Sequence, residues 1–333
     1  MRSSVAIGLD IGGANTKAAV VDGDEPVRIA SEPFEVWRRP DALAGAISSV
    51  VGRLGVEGAA VALTTTAELV DAFASKREGV LHVLEAARQA LPGRRLRVLT
   101  SAGELIGLEE ARAAPLECAA ANWMATAMLV ARSTPDAVLV DCGGTTTDVI
   151  PIRDGAVIAL GHTDVERLLE GELVYTGALR TNIAVVVSEV PIGGRPCPVS
   201  SELFAISADA HLLRGSLTAE QCTCTFPDGR GTAGHEVRAR LARVVCADPE
   251  QLGTGDLEAI AGAVEEAQTA AIAAALGRVG ARVAAGAPVV AVGVGEFLAR
   301  AAAERCGLVV REHFAGESGE VAAAVALSVL GRG

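Results

Sequence analysis

Residues 5–22 read VAIGLDIGGANTKAAVVD: an apolar run that contains Asp10, a glycine pair followed by polar residues, and a second apolar run. Residues 137–152, AVLVDCGGTTTDVIPI, repeat the pattern around Asp141. Each copy predicts two strands joined by a tight turn, because glycine lets the backbone turn without a Cβ in the way. One such turn is common in ordinary hairpins, but two copies in separate parts of the chain indicate two loops with a shared task.

The two loops also have the chemistry of a phosphate site. Glycine N–H groups approach an anion closely, and hydroxyl, amide and ammonium side chains add donors. An aspartate repels phosphate, so its natural partner is a divalent cation, usually Mg²⁺ with retained waters. We predict Mg²⁺ at Asp10, Asp141 and Asp148, and a diphosphate held between the loops. The predicted anion contacts are Gly12, Gly13, Asn15, Thr16 and Lys17 in the first glycine loop (residues 12–17), and Gly143, Gly144, Thr145, Thr146 and Thr147 in the second glycine loop (residues 143–147).

The composition narrows the class of protein. The chain has 333 residues, 50% of them hydrophobic, and a formal net charge of -12. Its length favours two domains, and its acidic balance argues against a nucleic-acid surface, which needs clustered lysine and arginine. Apolar runs such as residues 321–327 are too short to span a bilayer, and the first residues lack a secretory pattern. We therefore expect a cytoplasmic protein without nucleic-acid or membrane partners.

The cysteines leave one metal site open. There are seven of them, an odd and scattered set that does not indicate a disulfide framework. Cys222 and Cys224 form a C-x-C pair with His211, His235 and Cys246 in the same region. Because the pair lacks the C-x2-C spacing of structural zinc sites, small buried or loop cysteines are the favoured interpretation.

Short aliphatic runs alternate with longer helical stretches, which is the pattern of an α/β protein with buried strands. The predicted strands cover residues 5–9, 18–21, 59–63, 97–99, 137–140, 149–152 and 289–292. The predicted helices cover residues 41–54, 80–90, 115–131, 256–279, 295–305 and 318–330. Residues 133–136 punctuate a helix and a strand and are the predicted hinge. We predict one lobe of residues 1–133 plus 317–333, and a second lobe of residues 134–316.

The loops resemble a known superfamily. DIGGANTK and DCGGTTTDVIPI are similar to the two phosphate loops of the actin, sugar-kinase and Hsp70 superfamily, and AVGVGEF (residues 291–297) is similar to its third, glycine-containing nucleotide loop. This resemblance implies a two-lobed α/β fold with a central cleft. It also implies that Gly293 and Gly295 contribute to the binding site.

Longer blocks resemble the hydantoinase/oxoprolinase-like branch, and within it the proteins encoded with the tetrahydromethanopterin-linked one-carbon pathway. The blocks are residues 64–80 (TTTAELVDAFASKREGV), 119–127 (AAANWMATA), 161–183 (GHTDVERLLEGELVYTGALRTNI) and 239–250 (ARLARVVCADPE). The narrower resemblance implies a methanofuran-type condensing enzyme. Such an enzyme joins an aminomethylfuranyl-methyl diphosphate to the phenol oxygen of tyramine or glutamyl-tyramine, releasing diphosphate without consuming ATP.

Five further residues are candidates for the chemistry. Lys17, directly after a glycine turn, is expected to hold the anion. Glu68 is expected to orient metal waters or the substrate amine, although a helix cap is the alternative. Asn122 interrupts an alanine-rich predicted helix, where a buried amide is costly unless paired, and is therefore a predicted substrate contact. His162 or Asp164 is the predicted base for the phenol, with a cap on a helix near residue 165 as an equal alternative.

Other polar residues favour ordinary structural roles. The mixed charges of residues 76–78 are typical of a solvated face. Tyr175, the only tyrosine, is typical of half-buried packing on a strand. Asp209 and His211 share a face only if they lie on a strand, so metal binding there is a minor alternative.

Two other classes of function stay open. An ATP-dependent small-molecule kinase or hydantoinase-like ATPase would use the same loops, but Ala14 replaces the hydroxyl residue that nucleotide-hydrolysing relatives commonly carry. An actin-like scaffold without chemistry would usually carry long exposed insertions, for which this chain leaves little room. The acceptor, a homo-oligomeric state and the number of metal ions stay open at this stage.

Overall fold

The computed structural model describes residues 5–21, 28–311 and 321–332. Its strands are β1 (Ala6–Gly12), β2 (Asn15–Val20), β3 (Arg28–Pro33), β4 (Ala60–Thr66), β5 (Leu96–Leu99), β6 (Leu105–Gly107), β7 (Ala137–Cys142), β8 (Thr147–Arg153), β9 (Ala156–Val157), β10 (Leu173–Val174), β11 (Glu189–Ile192), β12 (Arg195–Pro198) and β13 (Val289–Val292). Its α-helices are α1 (Leu43–Gly52), α2 (Lys76–Ala90), α3 (Leu108–Ala113), α4 (Asn122–Ser133), α5 (Asp164–Glu170), α6 (Ile183–Val186), α7 (Ser207–Arg214), α8 (Gly234–Arg243), α9 (Thr254–Gly280), α10 (Glu296–Arg305) and α11 (Ala322–Leu330).

The contacts divide the chain into two compact units. The first unit comprises Met1–Ala137, Ile150–Glu170 and His313–Gly333, and the second comprises Val138–Val149 and Gly171–Glu312. The lobe limits at 133/134 and 316/317 stay a prediction. Residues 318–320 of the predicted last helix lie outside the described residues.

The first unit is built on a mixed sheet of order β3-β2-β1-β4-β5-β6. Strands β1 and β2 form the predicted antiparallel hairpin, with Ile11 opposite Thr16, and β4 lies parallel to β1 on its other side. One face of this sheet buries Ile7, Leu9 and the apolar sides of α1 and α2. Because β1 is covered on both faces, its sequence reads as a continuous apolar run rather than an alternating one.

Helix α11 packs on the opposite face of β1. A Cβ at Gly8 would lie 1.8 Å from the carbonyl oxygen of Ala324, so only glycine allows this approach. The Ser328 hydroxyl donates to Ala6 O (2.7 Å) and accepts from the N–H of Val21 (2.9 Å). The helix is therefore fixed to the first hairpin by both packing and hydrogen bonds.

The second unit is built around the path β10-β8-β7-β13 and helix α9. Buried residues of α9 enter two apolar clusters, one with β7 and β13 and one with α7 and α8. The length and mean hydropathy of α9 would suffice to cross a membrane, and half of its most apolar window is buried within the protein. Core helices of globular proteins have the same composition, so this feature is weak support for a membrane span.

The predicted helix over residues 115–131 is wrong in one respect. A short 3₁₀ turn covers Pro115–Cys118, and α4 starts only at Asn122. Between them Ala119 forms a parallel bridge with Thr65, and Ala120 has a positive φ of 50°. Asn122 therefore does not interrupt a helix but begins one, and the argument from a buried mid-helix amide does not apply.

Candidate functional site

The first glycine loop joins β1 to β2 and is fixed by neighbouring backbone. Phe34 N donates to Ala14 O and Val36 N donates to Gly13 O, each at 2.9 Å. A Cβ at Gly13 would lie 2.8 Å from the side chain of Val70, so the loop packs closely against the segment after β4. The hairpin geometry expected from the sequence is present.

Three polar residues lie side by side where this hairpin meets β4. Asp10 on β1 is the register partner of Lys17 on β2 and of Thr64 on β4, which places all three on one face of the sheet. Asp10 is only 9% exposed, and burial raises its pKa against the opposing charge of Lys17. The buried atoms Asp10 Oδ1 and Thr64 Oγ1 have no hydrogen-bond partner.

The next residues of the loop add further unpaired oxygens. Asn15 Oδ1 and Thr16 Oγ1 are also buried without a partner. Buried polar atoms are normally hydrogen-bonded, and each exception costs about 1–3 kcal/mol. Thr16 is opposite Ile11 and lies on the apolar face of the sheet, whereas Asn15 shares the face of Asp10 and Thr64. The unpaired oxygens of Asp10, Asn15 and Thr64 on that face indicate a place where a ligand or cation supplies the missing contacts.

Glu68 is a buried carboxylate just beyond β4. It is 2% exposed, its Oε2 has no hydrogen-bond partner, and α2 packs so closely that a Cβ at Gly79 would lie 2.6 Å from Glu68 Cα. Burial raises the pKa of Glu68 to about 7, opposed by its own backbone N–H, the Lys76 charge and the N–H of Ala120. The expected cap role is filled by another residue, because Ser75 caps α2.

Lys76 does not lie on a solvated face. Its ammonium forms an ion pair with Asp164, 88 residues away in sequence. Asp164 is the first residue of α5, as the cap alternative anticipated, but its carboxylate has a partner. The prediction that residues 76–78 belong to an ordinary solvated surface is therefore wrong for Lys76.

His162 lies in the same region of the first unit. Its Nδ1 lies 3.3 Å from Ser101 O, and its N–H donates to the Glu166 carboxylate at 2.9 Å. The side chain belongs to an exposed residue, unlike Glu68. The roles predicted for His162 and Asp164 stay predictions.

Asn122 is the first residue of α4 and is half-buried. The neighbouring Trp123 is 1% exposed and belongs to the buried core. The guanidinium carbon of buried Arg167 lies 4.2 Å from the centre of the Trp123 ring. This cation–π contact fixes the start of α4 beside α5, and Asn122 stays a predicted substrate contact.

The second glycine loop is held by the segment that follows β10. Gly143 N donates to Thr146 O, while Ala178 N donates to Gly143 O and Leu179 N to Gly144 O, all at 2.9 Å. A Cβ at Gly177 would lie 2.5 Å from Thr145 N. Gly177 is therefore required for the close approach, although the sequence analysis did not single it out.

A buried hydrogen-bond chain supports this loop. Thr147 Oγ1 donates to Thr176 O at 2.7 Å. The Gln268 amide on α9 donates to Thr176 Oγ1 (2.7 Å) and Gly177 O (2.9 Å), and its oxygen accepts from His211 Nε2 at 2.8 Å. Sequence reasoning missed Gln268, whose only signal is a glutamine within an alanine-rich, buried helix.

The third glycine-containing segment, residues 291–297, packs against the strand end directly before the second glycine loop. Gly293 has a φ of +91°, and a Cβ there would lie 2.3 Å from Cys142 O and 2.8 Å from Asp141 Oδ1. A Cβ at Gly295 would lie 2.4 Å from Cys142 Sγ. The two predicted glycines thus bring β13 and the start of α10 against the carboxyl end of β7.

The predicted metal ligands lie in different units. Asp10 belongs to the first unit, and Asp141 and Asp148 belong to the second. Within the part of the chain that the structure describes, no group of three or more His, Cys, Asp or Glu side chains could hold a metal ion directly. The water-mediated Mg²⁺ site stays a prediction.

Asp209 and His211 lie on helix α7, not on a strand. Asp209 accepts from buried Arg240 at 2.8 Å, and His211 bonds to Gln268. Both residues therefore have structural partners that account for their burial.

Tyr175 is 58% exposed, so the prediction of half-buried packing is wrong for it. Cys222 and Cys224 are free thiols beside an apolar cluster that contains Phe226. Burial raises the pKa of Cys222 to about 12, which disfavours the thiolate that a zinc site needs.

Comparisons with known proteins agree with the resemblance seen in the sequence. The chain is 38% identical over 252 residues to the (4-{4-[2-(gamma-L-glutamylamino)ethyl]phenoxymethyl}furan-2-yl)methanamine synthase of Methanocaldococcus jannaschii, covering 75% of this chain and 74% of the relative. It is 38% identical over 119 residues to the synthase of the same name from Methanococcus vannielii, covering 36% of this chain and 53% of that relative.

Among solved structures, the nucleotide-free acetone carboxylase aligns with a TM-score of 0.68 at 11% identity. The alignment covers 98% of this chain and 70% of that chain, and it shows a shared fold. The predicted α/β fold class is confirmed. Residues 59–331 match the hydantoinase/oxoprolinase family. Since this match spans most of the chain, the protein belongs to the hydantoinase/oxoprolinase family.

Proposed function

We propose that this chain is a transferase that forms the aryl ether bond between a furan methyl carbon and the phenol oxygen of tyramine or γ-glutamyl-tyramine in methanofuran biosynthesis. The observation that carries the proposal is the 38% identity over three quarters of the chain to a synthase whose named product contains a phenoxymethyl-furan. The matched range of the family includes Glu68, the start of α4, the second glycine loop and Gly293.

The substrate proposed for the furan side is an aminomethylfuranyl-methyl diphosphate. Departure of diphosphate from a furfuryl-type carbon leaves a resonance-stabilised cation, so holding the leaving group is the main task of the protein. In the first unit Lys17 is the register partner of Asp10 on the adjoining strand, and its positive charge, which acts on Asp10, can neutralise phosphate oxygens. In the second unit, the close packing of Gly177 and Gly293 fixes the backbone of residues 142–145, which orients its N–H groups before the anion binds.

The residues around Asp10 fit a hard cation. Its buried Oδ1 lacks a partner, and Thr64 on the next strand offers an unpaired hydroxyl oxygen on the same face. Carboxylate and water oxygens are the ligands that Mg²⁺ prefers. When bound, Mg²⁺ would neutralise the charge on the departing diphosphate.

The direct test is product analysis with the furanyl diphosphate, tyramine and Mg²⁺ in nucleotide-free buffer. We expect the aryl ether and diphosphate in equal amounts. Strict dependence on added ATP would contradict the transferase and favour a kinase-like or ATPase activity. Asp10→Asn provides the matched variant, which should remain folded without ligand but lose most of its activity.

A further inference from the structure

The strongest unexplained feature of the first unit is the isolated carboxylate of Glu68. Its backbone is held in place by α2 at Gly79, and its side chain is 2% exposed. The N–H of Ala120, a residue in the left-handed region, interacts with the carboxylate. A side chain that is fixed and buried, with one oxygen unpaired, is positioned to meet a ligand rather than solvent.

The charges that face Glu68 largely cancel each other. Lys76 on α2 and Asp164 on α5 are the side chains whose charges act on it, and they form an ion pair with one another. The Asp164 carboxylate is paired with the Lys76 ammonium, so the positive charge of Lys76 is shared between Asp164 and Glu68. The carboxylate of Glu68 is therefore buried without a dedicated counter-ion, which disfavours its ionised form and strengthens it as a base.

The two bases predicted from the sequence are less well suited. The Asp164 carboxylate is already engaged in an ion pair with the Lys76 ammonium. His162 is an exposed residue whose Nδ1 faces a carbonyl oxygen and whose backbone N–H bonds to Glu166. Neither residue combines burial with an unpaired acceptor, as Glu68 does.

We infer that Glu68 is the catalytic base that accepts the phenol proton. This inference rests on the proposed function. The carbon–oxygen bond to diphosphate breaks, its electron pair leaves with the diphosphate, and the phenol oxygen then bonds to the furfuryl cation. The phenol proton passes to Glu68 Oε2, and the protonated carboxyl group later loses it to solvent. A base with a pKa near neutrality is suited to this step, and the pKa of Glu68 is about 7.

The test compares wild type, Glu68→Gln and the control Glu109→Gln, which alters a glutamate whose side chain is 85% exposed. Ether formation from furanyl diphosphate and tyramine is followed from pH 5 to 9, and urea unfolding verifies that each variant folds. For Glu68→Gln we expect a fall in kcat of about 10²- to 10⁴-fold, and loss of the rise in kcat/KM near pH 7 that wild type and the control retain.

A second substrate separates proton transfer from a structural role. With 3,5-difluorotyramine, whose phenol is more acidic, the defect of Glu68→Gln should shrink, because less help is needed to remove the proton. The inference is overturned if Glu68→Gln keeps the wild-type pH profile, or if fluorination leaves its defect unchanged. It is also overturned if only the KM for the furanyl diphosphate rises, which would indicate a carboxylate that holds the substrate ammonium.

The outcomes distinguish the two proposals. If wild type forms no ether from these substrates, both the proposed function and the inference about Glu68 are wrong. If wild type forms the ether and Glu68→Gln behaves like the control, only the inference fails.

Discussion

In the first glycine loop and at its border with β4, the buried oxygens of Asp10, Asn15, Thr16 and Thr64 have no partner. In the second glycine loop, Thr147 donates to Thr176 O, and Gln268 holds the segment beneath. None of the buried unpaired side-chain atoms in the described part of the chain belongs to residues 141–148. Two loops with one sequence pattern thus differ in their buried side-chain oxygens: those described in the second loop are paired within the protein, and several in the first are not.

The largest effect is expected where the second loop is most tightly packed. In Gly293→Ala the new Cβ would overlap Cys142 O, and the φ of +91° is strained for any side chain. We expect a loss of more than about 3 kcal/mol in the free energy of unfolding, measured with urea. Gly277→Ala on α9 is the control, since nothing lies within 4 Å of its added Cβ and alanine favours the helix. A small loss at Gly293 would mean that the loop adapts and is not preorganised.

The second-largest expected effect is a gain in the free energy of unfolding, and it concerns Glu68 in the first unit. Burial raises the pKa of Glu68 from 4.5 to about 7, so the unfolded chain ionises first as pH rises. Wild-type stability therefore falls between about pH 4.5 and 7, whereas Glu68→Gln lacks this loss. We expect the variant to be more stable by up to about 3 kcal/mol at pH 8 and nearly equal near pH 4. A pH-independent difference in urea unfolding would contradict the assigned pKa.

The third effect concerns the support of the second loop. Gln268→Leu would leave His211 Nε2 buried without its acceptor and would remove the amide from Gly177 O. We expect a loss of about 1–3 kcal/mol in the free energy of unfolding, with weaker diphosphate binding by calorimetry. Exposed Gln89→Leu serves as the control. Unchanged diphosphate affinity with reduced stability would show that the chain of hydrogen bonds supports the unit but not the loop.

The smallest effects come from a matched pair of threonines. Thr147→Val removes a hydroxyl that donates to Thr176 O and should cost about 1–2 kcal/mol. Thr64→Val removes a buried hydroxyl with no hydrogen-bond partner and should not lower stability, with a gain of up to about 1 kcal/mol. Thermal unfolding without ligand measures both. Equal losses in the two variants would remove the contrast between the loops.

Local patterns were sufficient for much of the fold. The β1–β2 hairpin and the glycines at 293 and 295 follow from turn chemistry, which acts over a few residues. The break before α4 could not be read in this way, because Ala119 and Ala120 are good helix formers. Ala119 instead forms a β-bridge with Thr65, 54 residues earlier in the chain. This long-range contact coincides with the break between the 3₁₀ turn and α4, where helix propensity alone would continue the helix.

The site residues that escaped the sequence analysis depend on distant partners. Residues 76–78 have the composition of a solvated face, yet Lys76 pairs with Asp164 across 88 residues. Gln268 meets Thr176 across 92 residues. No periodicity or motif encodes such pairs, and their burial is set by tertiary packing alone. Glu68 could be nominated from its neighbours in sequence, but the pairing of Lys76 with Asp164, which leaves Glu68 without a dedicated counter-ion, could not.

The hydrogen bonds of Ser328 bear on the order in which the chain acquires structure. They join α11 to Ala6 and Val21, across 322 and 307 residues. During synthesis the first hairpin therefore leaves the ribosome long before the helix that covers it exists, while all segments of the second unit emerge in between. Contacts of such sequence separation close late, because the chain entropy of loop closure must be overcome first. The nascent chain consequently carries this sheet face uncovered until residues 322–330 have been made, and an apolar surface exposed in that interval is prone to aggregation.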